Sequence, residues 1–194
     1  ARLPPDLLEQ VRLEKGPAYE DVSHTATTTG ATRDARTAVG SGDWPTYRHD
    51  PGRSGRASTS VSASLRRSWR TKLGGKITSP VVADGRLFVA SVDTHTVHAL
   101  DATIGKPLWR FQASGRVDSP PTIHRGTVLF GSADGWVYCL RASDGELAWR
   151  FRAAPVTQQM VSYGQLESVW PVHGSVLVEN DVLFCVAGRA VFVD

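Results

Sequence analysis

Tryptophan recurs at a fixed interval in the middle of this chain. Trp69, Trp109 and Trp149 stand 40 residues apart, and other residues keep the same period. Ser79-Pro80 returns as Ser119-Pro120, and Gly105 returns as Gly145. Leu108-Trp109-Arg110-Phe111 returns as Ala148-Trp149-Arg150-Phe151, and Val97-His98-Ala99-Leu100 as Val137-Tyr138-Cys139-Leu140. A period of this length marks one supersecondary unit repeated along the chain, which buries its apolar face against its neighbours.

Each unit divides into four short runs of β-type residues separated by turn formers. The first predicts strands near 77–83, 86–92, 96–100 and 107–113, with Asp84-Gly85 as the first turn. The second predicts strands at 117–124, 127–132, 136–141 and 146–152, with Asp134-Gly135 as a hairpin turn. A third unit begins after an insertion. There Leu166-Glu167-Ser168 is aligned with Val117-Asp118-Ser119 and with Ile77-Thr78-Ser79. Val182-Leu183-Phe184-Cys185 is aligned with Leu87-Phe88-Val89-Ala90. Four short antiparallel strands every forty residues predict an all-β protein, a β-propeller of four-stranded blades, of which about two and a half are present. The last falls within what should be its third strand, so the chain is read as part of a larger ring.

The remainder lacks this periodicity. Residues 1–42 are expected to be a mostly irregular N-terminal segment and linker, with a short helix possible over Leu3–Val11. Residues 43–64 are expected as a lead-in loop packed on the propeller through Trp44 and Tyr47, because loop aromatics are costly to leave in water. Residues 65–194 carry the blades. The net charge of +3 is uneven: −2 over 1–29, +6 over 30–75 and −1 over 76–194. Basic character thus belongs to the lead-in, and no aromatics interleave with its arginines as a single-strand nucleic-acid binder requires. A nucleic-acid partner is not expected. No apolar run reaches the ~18 residues of a membrane span. The two cysteines, Cys139 and Cys185, each lie in an apolar run and are expected as buried free thiols.

The segments Ala99-Leu100-Asp101-Ala102-Thr103-Ile104-Gly105-Lys106-Pro107-Leu108-Trp109 and Leu140-Arg141-Ala142-Ser143-Asp144-Gly145-Glu146-Leu147-Ala148-Trp149 resemble the tryptophan-docking motif of PQQ-like, quinoprotein-type propeller repeats. WD repeats are a poorer match, since no Trp-Asp dipeptide occurs. The resemblance covers 65–194, and Asp43–Asp50 resembles the lead-in of such propellers in large bacterial proteins. It implies a structural docking role for Gly105, Trp109, Gly145 and Trp149, each ring lying on the backbone of a glycine. It also implies a periplasmic or extracellular location. In quinoprotein dehydrogenases the same repeat holds pyrroloquinoline quinone against a disulfide of adjacent cysteines, with calcium on Glu, Asn and Asp. Here the cysteines are 46 positions apart and no catalytic residue is assigned, so no cofactor is evident; quinone and calcium belong to the alternative reading.

Three function classes follow. The favoured one is a non-catalytic binding or scaffold propeller recognising a protein, glycan or small molecule on its loop face. The alternatives are part of a quinoprotein oxidoreductase with its catalytic residues elsewhere, and a structural propeller within a multidomain enzyme. The loop face is expected to carry Lys76, Asp93, His95, Arg116, Asp118 and Asp134. It should also carry Gln158, Tyr163, Gln165 and Glu167 of the long connection after the second unit, where binding residues tend to sit. Asp118 and Glu167, at aligned positions of adjacent units, are candidates for a hard cation; salt bridges to Arg116 and Lys76 are the other reading. His95 and His98 form no metal pair, since strand residues three apart face opposite ways.

Overall fold

Each repeat unit opens with a hairpin whose two central residues both have positive φ. They are Asp84 and Gly85 (51° and 71°), Arg125 and Gly126 (46° and 73°), and Asn180 and Asp181 (50° and 61°). That geometry matches the right-handed twist of the flanking strands and so holds the pair tightly. The computed structural model describes residues 12–27 and 42–189; the helix expected over Leu3–Val11 lies outside them.

The first unit is a four-stranded antiparallel sheet of β2 (Val81–Ala83), β3 (Arg86–Ser91), β4 (Thr96–Asp101) and β5 (Pro107–Gln112), in that order. The second contains β6 (Thr122–His124), β7 (Thr127–Gly131), β8 (Trp136–Arg141) and β9 (Leu147–Arg152). The forty-residue period is kept in the pairing itself. Ala99 pairs with Trp109 and Cys139 with Trp149, and a bulge follows at Ala99/Leu100 and again at Cys139/Leu140. The innermost strands are shorter than expected. In the first, Ile77 bridges Ser91, Ser79-Pro80 interrupts, and pairing resumes at Val81; a proline cannot donate to the ladder.

The core lies between the two sheets. Phe88, Val97 and Ala99 of the first pack with Val128, Phe130 and Tyr138 of the second. Phe130 and Tyr138 stack with centroids 5.2 Å apart. Each buried valine or phenylalanine among them contributes about 1.5–3 kcal/mol by leaving water. The rings of Trp69 and Trp109 lie against the glycines of the following unit. A Cβ on Gly105 would stand 2.3 Å from Trp69 Cε3, and one on Gly145 2.5 Å from Trp109 Cε3. The indole N–H groups of Trp69 and Trp109 donate to the carbonyls of Ala102 and Ala142, each at 3.0 Å.

Four elements arise in two stretches where irregular chain was expected. Within 1–42, β1 (Leu13–Lys15) joins the outer edge of β9 as a fifth strand, and α1 (Tyr19–Thr27) follows with Glu20 and Asp21 in its first turn. Acidic residues there favour the positive end of the helix dipole. Within the long connection, β10 (Gln159–Ser162) and β11 (Gln165–Ser168) form a hairpin turning at Tyr163-Gly164.

The third unit contains the hairpin of β12 (Leu177–Glu179) and β13 (Val182–Phe184), and its register corrects the sequence alignment. Val172 bridges Ala187 as Ile77 bridges Ser91. Gly188 N–H donates to the Pro171 carbonyl as Val92 N–H donates to that of Lys76. His173, not Glu167, therefore occupies the position of Thr78 and Asp118. Leu177 pairs with Phe184 as Val81 pairs with Phe88, so Phe184 rather than Leu183 answers to Phe88. The β10–β11 hairpin absorbed the match because Leu166-Glu167-Ser168 has the same apolar–acidic–Ser pattern.

The lead-in runs across the inner strands. Trp44 and Val82 exchange backbone hydrogen bonds at 2.7 and 2.9 Å, and Ile123 N–H donates to the Pro45 carbonyl at 2.7 Å. The hydroxyls of Thr46 and Thr122 lie 2.8 Å apart, Thr122 donates to the Val176 carbonyl, and Arg53 donates to that of Ser175. Thr46 is the buried residue of this segment, whereas Tyr47 is 45% exposed under the Arg53 guanidinium. Hydrogen bonds to three units, rather than both aromatics, hold it. Cys139 is buried as expected, but Cys185 is exposed.

Candidate functional site

Strand ends and loops of all three units surround a cavity of about 600 Å³. Lys76 and Asp93 come from the first unit, Arg116, Asp118 and Ser119 from the second, and His173 and Arg189 from the third. The β10–β11 hairpin adds Tyr163 and Gln165.

Local structure explains these placements. Lys76 and Arg116 lie at equivalent positions ahead of β2 and β6, held by backbone hydrogen bonds from Val92 and Ala133 to their carbonyls, and both line the cavity. Asp93 belongs to the connection between β3 and β4. Tyr163 stands at the tip of the hairpin, 81% exposed, with the Arg116 guanidinium 4.6 Å from its ring centroid. Such a contact orients a guanidinium and adds ~0.5–1 kcal/mol at an exposed position. Gln165 ties the hairpin to the first unit. Its Oε1 lies 2.7 Å from His95 Nε2, and its amide donates to the Asp93 carbonyl at 3.4 Å.

Below the cavity the charges are organised around one buried carboxylate. Glu167 is fully buried. Arg116 Nη2 stands 2.8 Å from its Oε1, and Arg189 Nη2 donates to its Oε2 at 2.5 Å. A buried carboxylate needs such compensation, since its desolvation costs several kcal/mol. Asp118 Oδ2 lies 2.9 Å from His173 Nδ1 and 3.8 Å from Arg116 Nη2. Burial works to raise the Asp118 pKa, but the hydrogen bond and charge of His173, with Arg116 beside it, prevail, and the carboxyl sits below its ordinary value.

The structure brings together most of the expected residues. Lys76, Asp93, Arg116, Asp118, Tyr163 and Gln165 line the cavity, His95 braces Gln165, and Glu167 lies underneath. Two do not join them. Asp134 accepts from the Tyr138 hydroxyl at 2.5 Å and from Trp136 N–H at 3.0 Å, and so caps its own hairpin. Burial raises its pKa, and pushes that of Tyr138 up to about 12. Gln158 is exposed beside the hairpin and bonds Val169 through its backbone carbonyl. Arg116 stands between the two carboxylates that were candidates for a cation, 3.8 Å from Asp118 and 2.8 Å from Glu167, with Arg189 on the other oxygen of Glu167 and, among the described residues, no ion pair from Lys76 to either. His173 and Arg189 escaped sequence reasoning. Pro171-Val172-His173 repeats the spacing of Arg116-Val117-Asp118, but the similarity is visible only once the hairpin is removed. His98, half-buried with its Nε2 3.1 Å from Ser91 Oγ, does not approach His95's partner. Its pKa is lowered by burial and by the Arg110 charge.

A quinone held on a disulfide does not fit these residues. Neither cysteine lines the cavity, and no tryptophan does. Two of the three carboxylates at it, Asp118 and Glu167, are already compensated by Arg116, Arg189 and His173, and Asp93 stands exposed at the rim. Trp149 instead borders a second, mainly apolar cavity of about 340 Å³ with Leu13, Tyr19, Leu183 and Cys185.

Comparison with known proteins places this geometry in a family. Among solved structures, BamB from Moraxella catarrhalis is similar at 19% identity and a TM-score of 0.50, over 62% of this chain and 37% of that one. The quinohemoprotein alcohol dehydrogenase ADHIIG from Pseudomonas putida HK5 matches at 20% identity and a TM-score of 0.62, over 76% of this chain and 23% of that one. The quinohemoprotein alcohol dehydrogenase of Comamonas testosteroni matches at 20% identity and 0.57, over 81% of this chain and 26% of that one. This chain thus spans well under half the length of each, and at these identities the likeness is one of fold. No curated protein matches it. The PQQ-type family model described as outer membrane protein assembly factor BamB matches residues 53–193, and the chain belongs to that family of β-propellers.

Proposed function

We propose that this chain is the binding part of a non-catalytic scaffold propeller, and that it recognises a partner protein at the three-unit cavity. The observation that carries the reading is the convergence of Lys76, Asp93, Arg116, Asp118, Tyr163 and Gln165 on one open, polar concavity. Its deepest charges are already neutralised among themselves. A catalytic acid or base needs a carboxylate free to exchange its proton with a substrate; Glu167 and Asp118 are committed to structural pairs, which leaves Asp93 at the exposed rim as the carboxylate outside them. The rim offers what recognition uses instead: an exposed aromatic, an exposed cation and an amide on a rigid scaffold. The family resemblance supports export to the periplasm, where such a partner would be met. The quinohemoprotein neighbours keep an oxidoreductase as the second reading, with its redox residues outside this chain.

The test uses a photo-crosslinking residue in place of Tyr163, with one at exposed Val61 as control. The reading expects one protein captured at 163 and not at 61, and the purified partner to bind about tenfold more weakly to Lys76→Ala or Gln165→Ala chains. Dye reduction by the chain supplied with pyrroloquinoline quinone and calcium, in place of capture, would overturn it.

A further inference from the structure

The outer edges of the two complete sheets are built from the same side chains, and only one of them is covered. Trp149-Arg150-Phe151 of β9 pairs with β1 in the register Lys15↔Trp149, Glu14↔Arg150, Leu13↔Phe151. Forty residues earlier, β5 presents Trp109-Arg110-Phe111 at the corresponding positions. Yet β5 ends its sheet, with no strand on its outer side among the described residues.

The contacts on β9 define what such an edge accepts. Arg12 and Gly16 bracket the strand through backbone hydrogen bonds to Arg152 and Ala148, each 2.8 Å. Glu14 Oε2 lies 2.6 Å from Arg150 Nη2. The Arg12 guanidinium stands 4.9 Å from the Phe151 ring centroid and donates to the carbonyls of Arg152 and Ala153. A Cβ on Gly16 would meet the Leu147 carbonyl oxygen at 2.2 Å, so the segment must leave the edge through glycine. On β5, Arg110 is exposed and has no carboxylate partner among the described residues, and Leu108 is 46% exposed. Pro107 stands where Leu147 contributes only its carbonyl to the incoming chain, through Ala18 N–H, and proline retains that group.

We propose that the outer edge of β5 is a strand-addition site for an extended partner segment of the pattern cation–apolar–acid–cation–glycine, with its acid on Arg110. Main-chain pairing would supply affinity, and the Arg110 and Phe111 side chains the choice of sequence. This edge is separate from the three-unit cavity and does not depend on the reading of that site.

The experiment titrates the full chain into a fluorescein-labelled peptide Arg-Leu-Glu-Lys-Gly-Pro and follows polarisation. Saturable binding is expected. Arg110→Glu should weaken it about fivefold or more, and a peptide with Lys in place of Glu should regain affinity for that variant. Arg150→Glu should leave binding at β5 unchanged. Absence of saturable binding would overturn the proposal, as would a loss that follows Arg150 rather than Arg110. Dimerisation of the chain alone that is lost in Arg110→Glu would assign the edge to a second copy instead, and would equally overturn it.

Discussion

Asp118 and His173 occupy the same position in successive repeat units, and their side chains meet, Oδ2 to Nδ1, at 2.9 Å. A contact between equivalent positions links the second unit to the third directly beneath the mouth of the cavity. Because the Asp118 pKa is lowered on folding, its contribution to stability is present above the unfolded carboxyl value of about 3.9 and is lost as pH falls through the lower folded value. Asp118→Asn is expected to cost about 1 kcal/mol at pH 7. The difference from the parent chain should close in acid, as urea titrations at stepped pH would reveal. A difference that persists unchanged at pH 2 would refute the linkage.

Glu167 holds two arginines from inside the protein. Removing its charge leaves Arg116 and Arg189 without their shared counter-ion, so Glu167→Gln is expected to destabilise the chain by about 3–5 kcal/mol. Chemical denaturation measures this. Loss of less than ~1 kcal/mol would mean that water already solvates the pair.

Gly145 and Trp109 test the clip between the two complete blades. Gly145 has φ of 78° and no room for a Cβ under the Trp109 ring, so Gly145→Ala should cost about 2–4 kcal/mol. In a Trp109→Ala background the clash disappears and only the backbone strain, about 1 kcal/mol, should remain. Additive effects in the double-mutant cycle would contradict the packing described.

The two thiols should react very differently. Burial pushes the Cys139 pKa up to about 12; it raises that of Cys185 as well, but Cys185 is exposed to the reagent. Iodoacetamide at pH 8 is expected to alkylate Cys185 in the folded chain and Cys139 only after unfolding. Peptide mass analysis reads both sites, and equal labelling under native conditions would count against the burial of β8.

Sequence carried the fold where side chains repeat and lost it where they do not. The period of 40 located β3–β5 and β7–β9 because their tryptophans, glycines and alternating apolar residues are all kept. It misplaced the third unit because a hairpin with a similar apolar–acidic pattern precedes the true strand, and Glu167 took the place of His173. Strand β1 left no periodic signal: three residues cannot show alternation, and its partner lies more than 130 positions away. The cavity was half legible. Lys76, Arg116 and Asp118 sit in repeat register and could be aligned, whereas Arg189 reaches it only through the fold of the third unit. Asp134 lies in the turn between β7 and β8, but its carboxylate turns inward to Tyr138 instead of facing the cavity, which the repeat pattern alone does not reveal.

The cavity shared by three units is the proposed meeting place of this propeller and its partner. Amide hydrogen exchange of the chain with and without the captured partner tests it most directly. Protection is expected at residues 76–78, 93–95, 116–119 and 163–165 together, with the outer strand β9 unchanged. Protection confined to the outer strands, with these four segments exchanging as in the free chain, would contradict it.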